Sequence, residues 1–157
     1  MFKLGKLTDY GTVVMATLAA EPQALRNAQA LAAATHLSVP TVSKLLRQLA
    51  RAGLLESARG AQGGYRLARA PARITVADVV AALEGPIALT QCAIHSGDCA
   101  IEPHCAVRAN WRLIDTAIRQ ALEAVTLEHM AAALKSAHAH RRDVQPLSFV
   151  RSLPARH

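Results

Sequence analysis

Apolar positions Val13, Val14, Ala16, Leu18 and Ala19 follow Thr8-Asp9 and stop at Glu21-Pro22. This predicts a first helix with Thr8 as its N-cap and Asp9 in the first turn, where a carboxylate meets the positive end of the helix dipole. A second helix is expected over 27–35. After His36-Leu37-Ser38 a third runs over 39–52. Ser38 is its N-cap, Pro40 lies in the first turn where a missing N–H costs little, and Gly53 closes it. Segments 54–57 and 65–68 read as short strands around the glycine-rich stretch 58–64, which makes a hairpin. Thr75 with Asp78 three residues on forms a capping-box pattern for a fourth helix, ended by Gly85-Pro86. Residues 87–105 show no period. Over 105–125 the apolar residues Val107, Trp111, Ile114, Ile118, Ala121 and Val125 are spaced 4, 3, 4, 3, 4, which is a heptad seam. A short helix is expected over 126–137, and the tail beyond it, with Pro146 and Pro154, reads as disordered.

The order helix, turn, helix, glycine hairpin is that of a winged helix-turn-helix. The expected fold is mainly α: a winged helix-turn-helix with a small β-hairpin wing and a long C-terminal dimerisation helix. The organisation follows as residues 1–85 for the winged unit, 86–105 for a cysteine-bearing loop, 106–137 for dimerisation helices and 138–157 for the tail. Composition agrees. Of the 157 residues, 52% are hydrophobic and only 3% aromatic, so the core is built from the helix-favouring Ala and Leu with Val. A core helix within one chain is the competing reading of the heptad seam. Dimerisation is favoured because regulators that read two-fold symmetric DNA work as dimers.

Charge locates the partner. The net charge is +7, and residues 1–70 hold nine Lys/Arg against three Asp/Glu, while residues 71–157 hold nine against eight. The basic excess therefore coincides with the winged unit, which points to double-stranded DNA. Pro40, Thr41, Ser43, Lys44 and Arg47 fall on the outer face of the third helix, where Thr41, Ser43 and Lys44 would meet base edges and Arg47 phosphate. The hairpin offers Arg59, Gln62 and the bare backbone of Gly63-Gly64, with Arg59 placed for a minor groove. His36 stands where such motifs place glycine in a left-handed conformation, which histidine tolerates better than most residues. A helical bundle with an incidentally basic surface would explain the charge but neither the motif nor the wing.

Cys92, Cys99 and Cys105 have the spacing C-x6-C-x5-C. There is no secretory pattern and no apolar run long enough to span a membrane, so the chain reads as cytoplasmic, where thiols stay reduced. An odd number of cysteines argues against a disulfide framework. Three thiolates so close together suit a soft metal or an iron–sulfur cluster. The paired spacing of zinc knuckles is missing, though zinc and ordinary buried cysteines stay open. His95, Asp98, Glu102 and His104 are neighbouring candidates for a fourth ligand, and Asp9 a distant one. No phosphate loop, HExxH or GxSxG is present, and no enzymatic activity is expected.

Together these residues resemble the bacterial iron–sulfur cluster regulator family, the IscR-like winged-helix repressors. The resemblance rests on Leu7-Thr8-Asp9-Tyr10, the helix-turn-helix over 27–52, Gly53-Leu54-Leu55, the wing Arg59-Gly60-Ala61-Gln62-Gly63-Gly64-Tyr65-Arg66-Leu67, the helix start Ile74 to Val79, the three cysteines and Trp111. It covers roughly residues 3–135. Glu102-Pro103-His104-Cys105, Arg108 and Asn110-Trp111 look most like the branch that regulates SUF cluster assembly. The resemblance implies a homodimer with crossed long helices, a palindromic operator, and DNA affinity set by the state of a 2Fe-2S or 4Fe-4S cluster. In one branch a histidine three residues after the third cysteine completes the site. Here that position is Arg108, which is no iron ligand, whereas Asp9 matches the aspartate that nitric-oxide-sensing relatives supply across the dimer.

The sequence therefore predicts a repressor or dual regulator of cluster-assembly genes that senses an iron–sulfur cluster. The alternatives are a winged-helix regulator using the cysteines for thiol-redox or zinc sensing, and a cluster carrier or redox protein without specific DNA binding.

Overall fold

The computed structural model describes residues 4–60, 62–90 and 104–143. The first helix, α1 (Lys6–Ala20), is capped by Gly5 rather than Thr8. Thr8 and Asp9 already donate their backbone N–H groups to Gly5 O, so Thr8 lies inside the helix. Its hydroxyl serves a distant partner instead of the helix end. Asp9 does occupy the first turn. In α2 (Ala28–Thr35) the Asn27 side chain accepts from Ala30 N–H, and in α3 (Val39–Arg51) Ser38 accepts from Thr41 N–H with proline in the first turn. His36 joins the two helices at φ 56° and ψ 28°, the left-handed conformation expected of it.

The wing is an antiparallel hairpin of β1 (Leu55–Ala58) and β2 (Gly64–Leu67), each strand shifted by one residue from its expected span. Leu55 pairs with Leu67 and Ala58 with Gly64. Arg26 exchanges two backbone hydrogen bonds with Tyr65, at 3.0 and 2.9 Å, and so fastens the start of α2 to the wing. A 3-10 turn at Pro71–Arg73 leads to α4 (Val76–Glu84), whose Thr75–Asp78 capping box is complete and whose end is Gly85 at φ 92°.

Helix α5 (Arg108–Glu123) starts later and ends earlier than the heptad seam, leaving Cys105 and Val107 before it and Val125 after it. The last helix, α6 (Leu127–Asp143), runs six residues past the expected end at 137, so 138–143 are helical where a disordered tail was expected, while 144–157 lie outside the described residues. Val76 N–H donates to Val125 O at 2.8 Å and Leu127 N–H to Ile74 O at 2.9 Å. These bonds stitch the α5–α6 junction to the start of α4.

The core joins Val14, Met15 and Leu18 of α1 to Leu31, Val42, Leu45, Leu46, Leu49, Ile74, Val79 and Leu127, all essentially inaccessible to solvent. Each such side chain contributes about 1.5–3 kcal/mol by leaving water. Gly11 lets α1 approach α4, since a Cβ there would lie 2.3 Å from Leu83 Cδ1. No described helix is long and apolar enough to cross a membrane. Among the described residues the architecture is mainly helical with one two-stranded hairpin, as the apolar pattern predicted.

Candidate nucleic-acid interface and the cysteine segment

The helix-turn-helix presents one polar face. Burial of Val42, Leu45, Leu46 and Leu49 orients α3, which leaves Pro40, Lys44, Arg47 and Arg51 exposed along its opposite side. Thr41 and Ser43 are half-buried at the edge of this stripe. The Thr41 hydroxyl lies 2.8 Å from Ser38 Oγ, within the cap of its own helix. Arg47 folds back so that Nε donates to Ser43 O at 3.1 Å. Lys44 and Arg51 are the cations of this stripe whose side chains make no hydrogen bond or ion pair among the described residues.

In the wing, Arg59 and Gln62 are exposed at the tip. The two glycines behave differently. Gly63 is half-buried, and a Cβ on it would lie 2.4 Å from Ala58 O, so the turn itself requires glycine there. Gly64 is buried, and its Cβ would lie 2.8 Å from the backbone of Arg26. Its bare Cα therefore serves contact with Arg26 inside the chain, which corrects the expectation that it offers backbone to DNA. On the outer side of the hairpin Arg66 bridges Glu56 at 2.9 Å, an exposed intra-wing pair.

Of the three cysteines, Cys105 lies among the described residues. It is half-buried, is not in a disulfide, and precedes α5 by three positions. Cys92 and Cys99, with His95, Asp98 and Glu102, lie outside the described residues. His104 is exposed, and Arg108, in the position where a histidine ligand was considered, is half-buried. Asp9 is exposed in the first turn of α1 and makes no side-chain hydrogen bond or ion pair among the described residues. No group of three metal-ligating side chains forms among the described residues of one chain.

The heptad seam is only partly covered within its own chain. Val107 is 50% exposed, Trp111 39%, Ile114 42% and Val125 40%; Ala121 is exposed and Ile118 half-buried. The face of α5 that turns inward carries Asp115, only 7% exposed, whose Oδ1 accepts from Leu89 N–H at 2.8 Å. Sequence reasoning missed this residue. Nothing local marks a carboxylate one position from an apolar seam as buried.

A helix pair with a polar outer face, a basic-tipped wing and a third helical layer beneath them define a winged helix-turn-helix DNA-binding regulator. The comparisons agree. The chain belongs to the Rrf2 family of iron-dependent transcriptional regulators, whose profile matches residues 4–133. It is 32% identical to the transcriptional regulator NsrR of Geobacillus kaustophilus, over 89% of this chain and 99% of that protein. It is 34% identical to CymR of Bacillus subtilis, over 82% of this chain and 89% of that protein. Among solved structures it is similar to CymR, the global cysteine regulator of B. subtilis, with a TM-score of 0.68 and 32% identity over 85% of this chain and 98% of that one. It is also similar to T. potens IscR, with a TM-score of 0.63 and 30% identity over 89% and 91%. These relatives are transcriptional regulators rather than enzymes.

Proposed function

We propose that this DNA-binding regulator is a homodimeric repressor of iron–sulfur cluster assembly genes whose operator affinity follows an iron–sulfur cluster. Cys92, Cys99 and Cys105 would hold the cluster. Asp9 would be the fourth ligand, supplied from the partner subunit.

The observation that carries the reading is the position of Cys105. Its thiol is half-buried, unpaired by any disulfide and three residues ahead of the helix whose apolar seam lies open. A ligand there is tied in sequence to the element that would set dimer geometry. The donor chemistry fits. Three cysteine thiolates suit iron, and the exposed Asp9 carboxylate has no partner that would have to be broken for it to ligate. When bound, the cluster would supply a centre whose charge and integrity respond to iron and oxidants.

The chain's own residues do the rest. The seam of Val107, Trp111, Ile114, Ile118, Ala121 and Val125 would bury against its copy, because apolar side chains 39–50% exposed on one helix face are costly to leave in water. An apolar groove of about 380 Å³ between α1 and α6, lined by Val13, Ala16, Val125 and Met130, continues this face. The two-fold dimer would then present two α3 helices to a palindromic operator. Pro40, Thr41, Ser43, Lys44 and Arg47 would face the major groove, with Arg59, Gln62 and Gly63 alongside the backbone or minor groove.

The likeness to CymR, a cysteine regulator, favours a second reading in which the same fold senses thiol state or zinc. Protein purified without oxygen separates the two. Broad visible absorption with stoichiometric iron and acid-labile sulfide, lost when all three cysteines are changed to alanine, supports the cluster. Colourless protein that stays colourless after reconstitution with iron and sulfide supports the thiol or zinc reading.

A further inference from the structure

The Asp115 carboxylate lies in the middle of α5 and is 7% exposed. One oxygen accepts the Leu89 N–H at 2.8 Å across 26 residues of sequence. The other, Oδ2, has no hydrogen-bond partner among the described residues. A buried carboxylate is expensive unless donors reach it, and losing one donor leaves the full desolvation cost uncompensated. The chain at Leu89 is therefore not free to leave α5 at little cost. Any state that lifts it away strands a buried charge, and any rotation of α5 that frees Asp115 gives up the anchor. Leu89 precedes Cys92 by three residues, and Asp115 flanks Ile114 of the exposed seam. This one bond thus ties the start of the cysteine segment to the helix proposed to set dimer geometry.

We infer that Asp115 is the positioning residue that couples the cysteine segment to α5, by holding the Leu89 backbone through its carboxylate. The inference rests on the proposed sensing function for its consequence, but its geometry does not. Coupling of this kind is reciprocal: whatever biases the position of Leu89 biases α5 by the same factor.

The test uses the full chain with three substitutions. Asp115→Ala removes the acceptor. Asp115→Asn keeps a carbonyl acceptor without the charge. Leu89→Pro removes the donor and leaves α5 untouched, which keeps the test open if Asp115→Ala fails to fold. The first readout is amide hydrogen exchange at Leu89 in cluster-free wild type, Asp115→Ala and Asp115→Asn. Exchange should quicken about tenfold or more in Asp115→Ala and return most of the way in Asp115→Asn. Unchanged exchange overturns the anchor, whatever the cysteines bind. The second readout is the ratio of operator affinities with and without cluster. It should fall toward one in both Asp115→Ala and Leu89→Pro and recover in Asp115→Asn. Either of the first two folding normally and keeping the wild-type ratio overturns the coupling. A wild-type protein that binds no cluster refutes the sensing function instead, and the exchange measurement still decides the anchor.

Discussion

The buried hydroxyl of Thr8, in the first turn of α1, donates to Glu84 Oε1 at the last residue of α4. The same oxygen accepts Gly5 N–H at 2.6 Å, so one carboxylate fixes the start of α1 to the end of α4. That junction sits between Asp9 and Gly85-Pro86, where the chain turns toward the cysteine segment. Replacing Thr8 with valine keeps the shape and removes the bond. A loss of about 1 kcal/mol is expected, which lowers the thermal midpoint by roughly 2–4 °C in a chain of this size. Circular dichroism melts of wild type and Thr8→Val check it, and an unchanged midpoint would show that the contact contributes nothing net.

The wing separates packing from recognition. Gly64→Ala places a Cβ against the Arg26 backbone, which has no flexible end to move aside. It should cost about 1–3 kcal/mol and lower the melting temperature. Arg59→Ala, at the exposed tip, should leave the melting temperature unchanged, weaken operator binding, and reduce the slope of log affinity against log salt by about one. If Gly64→Ala melts like wild type, the close contact with Arg26 is not needed.

Lys44 projects from the polar face of α3 with no competing partner among the described residues. Lys44→Ala is expected to weaken specific binding about tenfold or more while leaving the fold intact. A gel-shift titration with equal affinities for wild type and variant would remove Lys44 from the interface.

The seam can be tested without DNA. If the proposed dimer forms through the seam, Ile114→Glu should convert it to monomer, because the charge would have to be buried against the partner helix. Leu113→Glu, at a 71% exposed position off the seam, should leave the dimer intact. Sedimentation equilibrium distinguishes the two, and a dimer that survives Ile114→Glu would place the interface elsewhere.

The features legible in the sequence are those whose causes are local. Ser38 and the Thr75–Asp78 pair cap their helices through bonds spanning three residues, and His36 takes the conformation its place between two helices demands. Thr8 carries the same local signature but was committed to Glu84, across 76 residues, so its assignment as N-cap failed. Gly64 looked like a surface for DNA because the Arg26 segment that covers it comes from the far side of the helix-turn-helix. Asp115 was invisible for the same reason: the Leu89 N–H that it accepts lies 26 residues away in sequence. The end of α6 was misplaced because apolar periodicity fades after 137, while the backbone keeps its helix to Asp143. The seam of α5 was readable as a pattern, and its partial exposure within one chain is what the proposed dimer rests on.

The most direct test of the account is the affinity of one anaerobically purified preparation for its operator, measured with its cluster in place and again after the cluster has been removed by a chelator under the same salt. The account predicts a coloured protein whose affinity changes at least several-fold on removal, and a Cys92→Ala, Cys99→Ala, Cys105→Ala variant that is colourless and stays at the cluster-free affinity. A coloured protein that binds the operator equally in both states would contradict it.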